Sequence, residues 1–160
     1  MKKNNRKGFT LIELLAVIIV LALILVFAIP AVLDTSTRAQ KKAFATYARK
    51  VLTLAQEYVE TRKLDGAVDS MAFMNVPGGA FTLGSNDSQY SACIEYDAVN
   101  GTYKMYMFND TYYVGDLATP APADDTDLKD SGNVEEVKNV GSITLSVADG
   151  SSTCSVSTTK

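Results

Sequence analysis

The chain of 160 residues has no histidine, no tryptophan, four prolines and only two cysteines, Cys93 and Cys154. Each scarcity excludes something. Without histidine there is neither the usual general base near neutral pH nor the commonest nitrogen ligand for zinc. Two thiols cannot build a four-thiolate metal site, and no imidazole is present to activate either as a nucleophile. No nucleophile–base pair, phosphate-cradling glycine loop or ligand cluster takes their place. The chain is therefore expected not to be an enzyme, and to use no cofactor and no metal. Glycine is missing from residues 9–65 altogether, which leaves a long stretch free of the residue that most often ends a helix.

Charge is present but segregated. Residues 1–8 carry Lys2, Lys3, Arg6 and Lys7 and no acid. Residues 9–64 carry seven basic and four acidic residues, and residues 65–160 carry four basic and fourteen acidic ones. A net charge of −10 on that last part argues against direct nucleic-acid binding, because phosphate contacts need Lys and Arg. The acids Asp124, Asp125, Asp127, Asp130, Glu135 and Glu136 invite a calcium reading. The spacing departs from a calcium loop, with Lys129 and Asp130 where a ligand and a glycine are required. A solvated surface loop is expected instead.

Residues 14–29 read LLAVIIVLALILVFAI without a polar side chain, and Pro30 follows. From Phe9 to Leu33 there is one charge, Glu13. A bilayer core needs about 20 helical residues, so this segment can span one. The basic leader should stay cytoplasmic, since short flanks rich in Lys and Arg resist translocation. From Asp34 to Leu64, Phe44, Tyr47, Ala48, Val51, Leu52, Ala55, Tyr58 and Val59 recur at spacings of three and four, the pattern of an amphipathic helix. The two stretches predict one helix of roughly 55 residues, kinked or locally unwound at Pro30 and ended by Asp65 and Gly66.

A carboxylate inside a spanning helix is costly and normally has a partner and a purpose. The bland alternative for Glu13 is an interfacial position reaching the headgroups. The surrounding residues decide between them: Gly8-Phe9-Thr10-Leu11-Ile12-Glu13-Leu14-Leu15, after a basic leader and before the apolar run, resembles the cleavage site of type IV prepilins. Pro30 also falls where pilins of this family carry a helix-perturbing proline. The resemblance covers residues 1–35 and says little about residues 65–160. It implies cleavage by a prepilin peptidase between Gly8 and Phe9 and N-methylation of the new Phe9 amine. It further implies that Glu13, helped by Thr10, neutralises the Phe9 ammonium of an adjacent subunit and so sets axial register. The implied partners are further copies of the chain in a helical filament, the peptidase, an assembly ATPase with its platform protein, and membrane lipid before assembly. The implied locations are the bacterial cytoplasmic membrane for the precursor and the cell surface for the mature filament. Two rivals for the N-terminus are a secretory signal peptide ending near Val26-Phe27-Ala28 and a plain anchor that does not polymerise. The run is too long for the first.

The expected organisation is α+β and pilin-like: a leader (1–8), a spanning and filament-core helix (9–33), an amphipathic helix (34–64) and a mostly-β extracellular head (65–160). In the head, runs at 90–99 and 102–108 flank Asn100-Gly101, a strong hairpin signal. Residues 142–148 predict another strand and 112–114 a short one, giving three or four antiparallel strands against the amphipathic helix. Residues 71–83, with Val76-Pro77-Gly78-Gly79, predict a loop, as do Pro120 and Pro122. Residues 151–159, rich in Ser and Thr, predict a flexible tail. Tyr96, Tyr103, Tyr106, Phe108, Tyr112 and Tyr113 are expected to pack in the sheet. Asn86, Asn100 and Asn109 open Asn-x-Ser/Thr acceptor sequences. A Cys93–Cys154 disulfide is expected outside the cytoplasm, the alternative being two buried free thiols. Within the filament reading, a major structural pilin for adhesion, motility or aggregation and a minor pilin or pseudopilin of a DNA-uptake or secretion system both remain open.

Overall fold

A computed structural model of the chain describes residues 9–75, 81, 89–117, 122–129 and 133–159. The leader with Gly8, residues 76–79, Asn86, Pro120 and Asp130 lie outside the described residues. The chain divides into two compact units, Met1–Ala39 and Gln40–Lys160.

One helix, α1, runs from Leu11 to Asp65 over 55 residues, with Pro30 inside it. The expected local unwinding at Pro30 is absent: the helix continues on both sides, since proline removes a single donor. Ile and Val crowd its first half, and they are indifferent helix formers in water. In hydrocarbon, however, every backbone N–H and C=O must be bonded within the segment, which makes a helix the only open-chain solution. Gly66 closes the helix, its N–H donating to the Lys63 carbonyl at 3.3 Å.

Within the second unit seven strands follow: β1 (Met71–Met74), β2 (Ser91–Asp97), β3 (Thr102–Phe108), β4 (Tyr112–Val114), β5 (Glu135–Glu136), β6 (Ser142–Ser146) and β7 (Ser155–Thr159). β1 to β5 form an antiparallel sheet in sequence order, and β6 and β7 pair separately. The fold is α+β, a long N-terminal helix with an antiparallel sheet packed on its second half.

The sheet is covered on both faces, which sets its pattern. Ala92, Ile94, Met105 and Met107 face α1 and join Phe44, Ala48, Val51, Leu52 and Ala55 in one core. The alternate residues Cys93 and Tyr106 face the other way and pack with Leu145 of β6 and Val156 of β7. A strand buried on both faces reads as continuous apolar sequence rather than alternation, as Ala92, Cys93 and Ile94 do.

Three local expectations are corrected. Met71–Met74, expected within a loop, is a strand paired with β2. The Pro-Gly-Gly signal comes only after it, and the Ala72 N–H on its outer edge donates to the Ser151 carbonyl at 3.2 Å. The expected flexible tail contains β7, whose Val156 pairs with Leu145. Ser155, Ser157, Thr158 and Thr159 are exposed strand residues flanking Val156, which packs on the covered face. Glu135 and Glu136, grouped with the acidic loop, form an edge strand against Tyr113 and Tyr112. Tyr113 donates to Glu135 and Lys138 pairs with Glu136, and such charges on a short edge discourage further strand pairing. The sheet thus has one strand more than the upper expectation, with a two-stranded layer behind it.

The β2–β3 hairpin forms at Asn100-Gly101, but residues 98–101 all lie in its loop, since Asp97 pairs with Thr102. Only Gly101 is left-handed, at φ 65°. The Asp97 carboxylate organises the turn, accepting from the N–H groups of Val99 (2.9 Å) and Asn100 (3.3 Å) and from Asn100 Nδ2 (2.6 Å). The Asn100 side chain first, then the Val99 and Asn100 amides, hold its carboxyl below the ordinary value of 3.8. A lowered folded value means this contribution is present above the ordinary value and lost as pH falls through the lowered one. Asp97→Ala is therefore expected to lower the urea midpoint of the head near neutral pH. The gap to wild type should narrow steadily as the buffer is taken below 3.8. A gap constant with pH would mean that the turn does not depend on the charge.

Candidate assembly and processing site

Thr10 stands immediately before α1 and Glu13 is the acid of its first turn. Thr10 N–H and Thr10 Oγ1 both donate to Glu13 Oε2, at 2.8 Å and 2.9 Å, and Glu13 N–H donates back to Thr10 Oγ1 at 3.4 Å. This is a capping box: the hydroxyl at the cap and the carboxylate three residues on satisfy each other's orphan amides. The signal is present in the sequence as Thr-x-x-Glu before an apolar run. Glu13 Oε1 accepts nothing among the described residues. Phe9, one residue before the cap, is 85 % exposed.

From Phe9 onward the unit that includes residues 9–39 has no buried side chain among its described residues. Phe9, Leu11, Ile12 and the aliphatics through Leu33 are all exposed, the least of them, Leu15, still at 48 %. A large contiguous apolar surface in a water-soluble monomer marks an interaction site or a membrane segment. The helix is long and apolar enough to cross a membrane.

In the second unit Cys93 and Cys154 are joined by a disulfide, with Cα atoms 6.1 Å apart and a sequence separation of 61. Cys93 is wholly buried, and the Cys154 N–H donates to Glu95 at 2.7 Å. Beside them Tyr106 is buried, and its phenol is pushed up to about 12, by burial first and then by Glu95 and Asp116. The acids of the loop after Pro122 are used locally. Asp124 accepts from the amides of Thr126 and Asp127, Asp127 accepts from the amide of Asp124, and Asp125 pairs with Arg49 at 3.4 Å. Among the described residues no three acidic side chains converge on a possible cation.

The structure therefore brings Thr10 and Glu13 together next to Phe9, and Cys93 together with Cys154. Pro30 stands apart in mid-helix. Comparison with known families finds that residues 3–29 fit the prokaryotic N-terminal methylation motif. No curated protein and no solved structure matches the chain. The motif and the architecture together define a class, an α+β protein with a pilin-like arrangement of one long N-terminal helix and a small antiparallel sheet. Within that class the motif, which covers only the N-terminal part of the chain, is the signature of type IV prepilins, and it points to a pilin-like or pseudopilin precursor, a structural subunit.

Proposed function

We propose that this chain is a structural subunit of a type IV pilus-like filament. A prepilin peptidase cuts between Gly8 and Phe9 and the Phe9 amine is methylated. The mature helix then leaves the cytoplasmic membrane for a bundle of identical helices that ends at the cell surface. The observation that carries this reading is the apolar surface of residues 9–33, exposed all round and interrupted by a single carboxylate at the capped end of the helix. Lipid can cover that surface before assembly, and further copies of it can do so afterwards. Removing residues 1–8 removes four positive charges that would oppose extraction from the membrane. A carboxylate with one oxygen engaged by Thr10 and the other accepting from no described residue can accept the ammonium of a neighbouring Phe9. Two charges that are each unfavourable in hydrocarbon then become one pair, which specifies register. A bend at Pro30 would let the apolar half follow the bundle axis.

The test is mass spectrometry of protein sheared from the cell surface. The expected product starts at Phe9 and is about 14 Da heavier than its sequence, one methyl group. Gly8→Val is expected to leave full-length precursor in the membrane fraction and nothing in the sheared fraction. A wild-type product beginning near Ile29, or an intact Met1 confined to the membrane, would sink the reading. So would mature-length protein from Gly8→Val.

A further inference from the structure

The residues of an antiparallel strand turn their N–H and C=O groups alternately to its two sides. The two-stranded layer of β6 and β7 therefore carries backbone groups along two open margins. Among the described residues no backbone group of either strand bonds outside the pair. The edges of the larger sheet are treated differently. On β1 the Ala72 N–H donates to the Ser151 carbonyl at 3.2 Å. On β5 stand Glu135 and Glu136, the second paired with Lys138. β6 and β7, SITLS and SVSTT, hold no charge and no proline, the devices that ordinarily keep an open edge from finding a partner. We infer that β7 pairs antiparallel with β7 of a second copy across a two-fold axis at Ser157, joining heads of neighbouring filaments through one four-stranded sheet. The inference rests on the filament reading above.

Exposure selects β7 as the edge. Ile143 and Leu145 of β6 are buried, whereas β7 is exposed apart from half-buried Val156. A sheet of two strands is marginal in water, and further strands are what stabilise one. Register and charge select a second copy as the occupant. The pairs Ser142 with Thr159, Thr144 with Ser157 and Ser146 with Ser155 place six exposed hydroxyl residues on the outer face of the layer. A two-fold axis normal to the sheet keeps outer face beside outer face only where a residue stands opposite itself, because side chains alternate. Centred on Ser157, it matches the whole of β7: Ser155 meets Thr159 and Val156 meets Thr158. No side chain larger than threonine then stands on the shared outer face. Residues 65–160 carry fourteen acids against four bases, so like heads repel over most of their surface. This uncharged strip is where they repel least. Placement then decides which copies meet. The layer packs on Cys93 and Tyr106, on the face of the sheet away from α1, so copies gathered by their helices turn it outward. Subunits within one filament all point the same way, whereas a two-fold contact joins identical patches, so at the filament surface it reaches a different filament. A single contact of this size is weak, and its repetition along two filaments makes it effective.

The test uses filaments sheared from cells that make the full-length chain. Wild-type filaments are expected to sediment at low speed as side-by-side bundles, visible by electron microscopy. Ser157→Lys and Ser157→Glu each set like charges opposite one another at the axis. Each is expected to lower the bundled fraction about tenfold, a small penalty per contact being multiplied along the filament. Filament yield and cleavage at Gly8 should stay at wild-type values. Mixing filaments of the two variants should restore bundling, because opposite charges then meet. Ser157 is exposed, so the head should fold normally in both, and thermal unfolding of the extracted variants checks this. Oxidised bundles of Ser157→Cys should contain a disulfide-linked chain dimer, and those of Thr144→Cys, one strand further from the axis, should not. Charge variants that bundle like the wild type, variants that disperse but do not recover on mixing, equal dimer from both cysteine variants, or wild-type filaments that stay apart each overturn the β7 pairing and leave the filament reading standing. A wild-type chain that yields no filaments overturns both.

Discussion

Glu13→Ala and Glu13→Gln are both expected to be cleaved and methylated at the wild-type rate and yet to give almost no filaments. The two substitutions separate the capping task that the structure shows from the proposed pairing with a neighbour's Phe9. As a capping-box acid, Glu13 accepts from the amide and hydroxyl of Thr10, and a glutamine can accept from both as well. As the partner of a neighbour's Phe9 ammonium, only the carboxylate serves. Leaving one member of a buried ion pair unmatched lowers an association constant on the order of a hundredfold or more, and the loss recurs at every subunit added. Filament mass per cell, measured on sheared fractions against total mature chain, is the readout. If Glu13→Gln assembles normally while Glu13→Ala fails, Glu13 acts as a cap and the register argument is lost. If both assemble normally, neither task matters to assembly. Thr10→Val serves as a companion: it removes the hydroxyl but keeps the amide, and it should reduce yield far less than either Glu13 variant.

Loss of the disulfide is expected to be the largest single blow to the head. Opening a loop of 61 residues removes about 4 kcal/mol in the chain-entropy account, against a total stability of about 5–15 kcal/mol for an ordinary domain. The double variant Cys93→Ala, Cys154→Ala avoids leaving a lone thiol beside Tyr106 and Leu145, with which Cys93 packs. Its melting temperature, followed by tyrosine circular dichroism on detergent-extracted protein, should fall by roughly 10–20 °C. The loss should be felt chiefly in the layer formed by β6 and β7, whose amides should exchange with deuterium much faster than those of β2 and β3. That layer is small, and two strands alone are marginal in water. The link therefore ties down the part of the fold least able to hold itself. An unchanged melting temperature would mean that Leu145 and Val156 hold the layer without it.

The head is where sequence and structure part most. Asn100-Gly101 located the hairpin, because an abrupt turn needs a residue tolerant of positive φ and Gly101 supplies one. It did not reveal the four-residue loop, which Asp97 organises through contacts to Val99 and Asn100. The strand at Met71–Met74 was hidden because its character comes from pairing with β2 and from the edge contact to Ser151, neither of which is local. The strand at Ser155–Thr159 was hidden by composition: Ser and Thr serve equally in tails and in strands until something covers one face. The capping box is legible as Thr-x-x-Glu, because its hydrogen bonds join Thr10 and Glu13 within one turn of the chain.

The sequence by itself determined everything that depends on neighbours along the chain. This covers the long glycine-free helix, its apolar and amphipathic halves and the prepilin motif at its start. Periodicity, capping and the transfer of apolar side chains out of water act over a few residues, so a linear pattern suffices to express them. Tertiary structure alone decided which strands form a five-stranded sheet and that a second layer covers its far face. It also gave the expected Cys93–Cys154 link its place, on the sheet face that this second layer covers. Those outcomes depend on which surfaces bury one another across distances of 60 residues and more in the chain, and burial of that kind is a property of the packed whole.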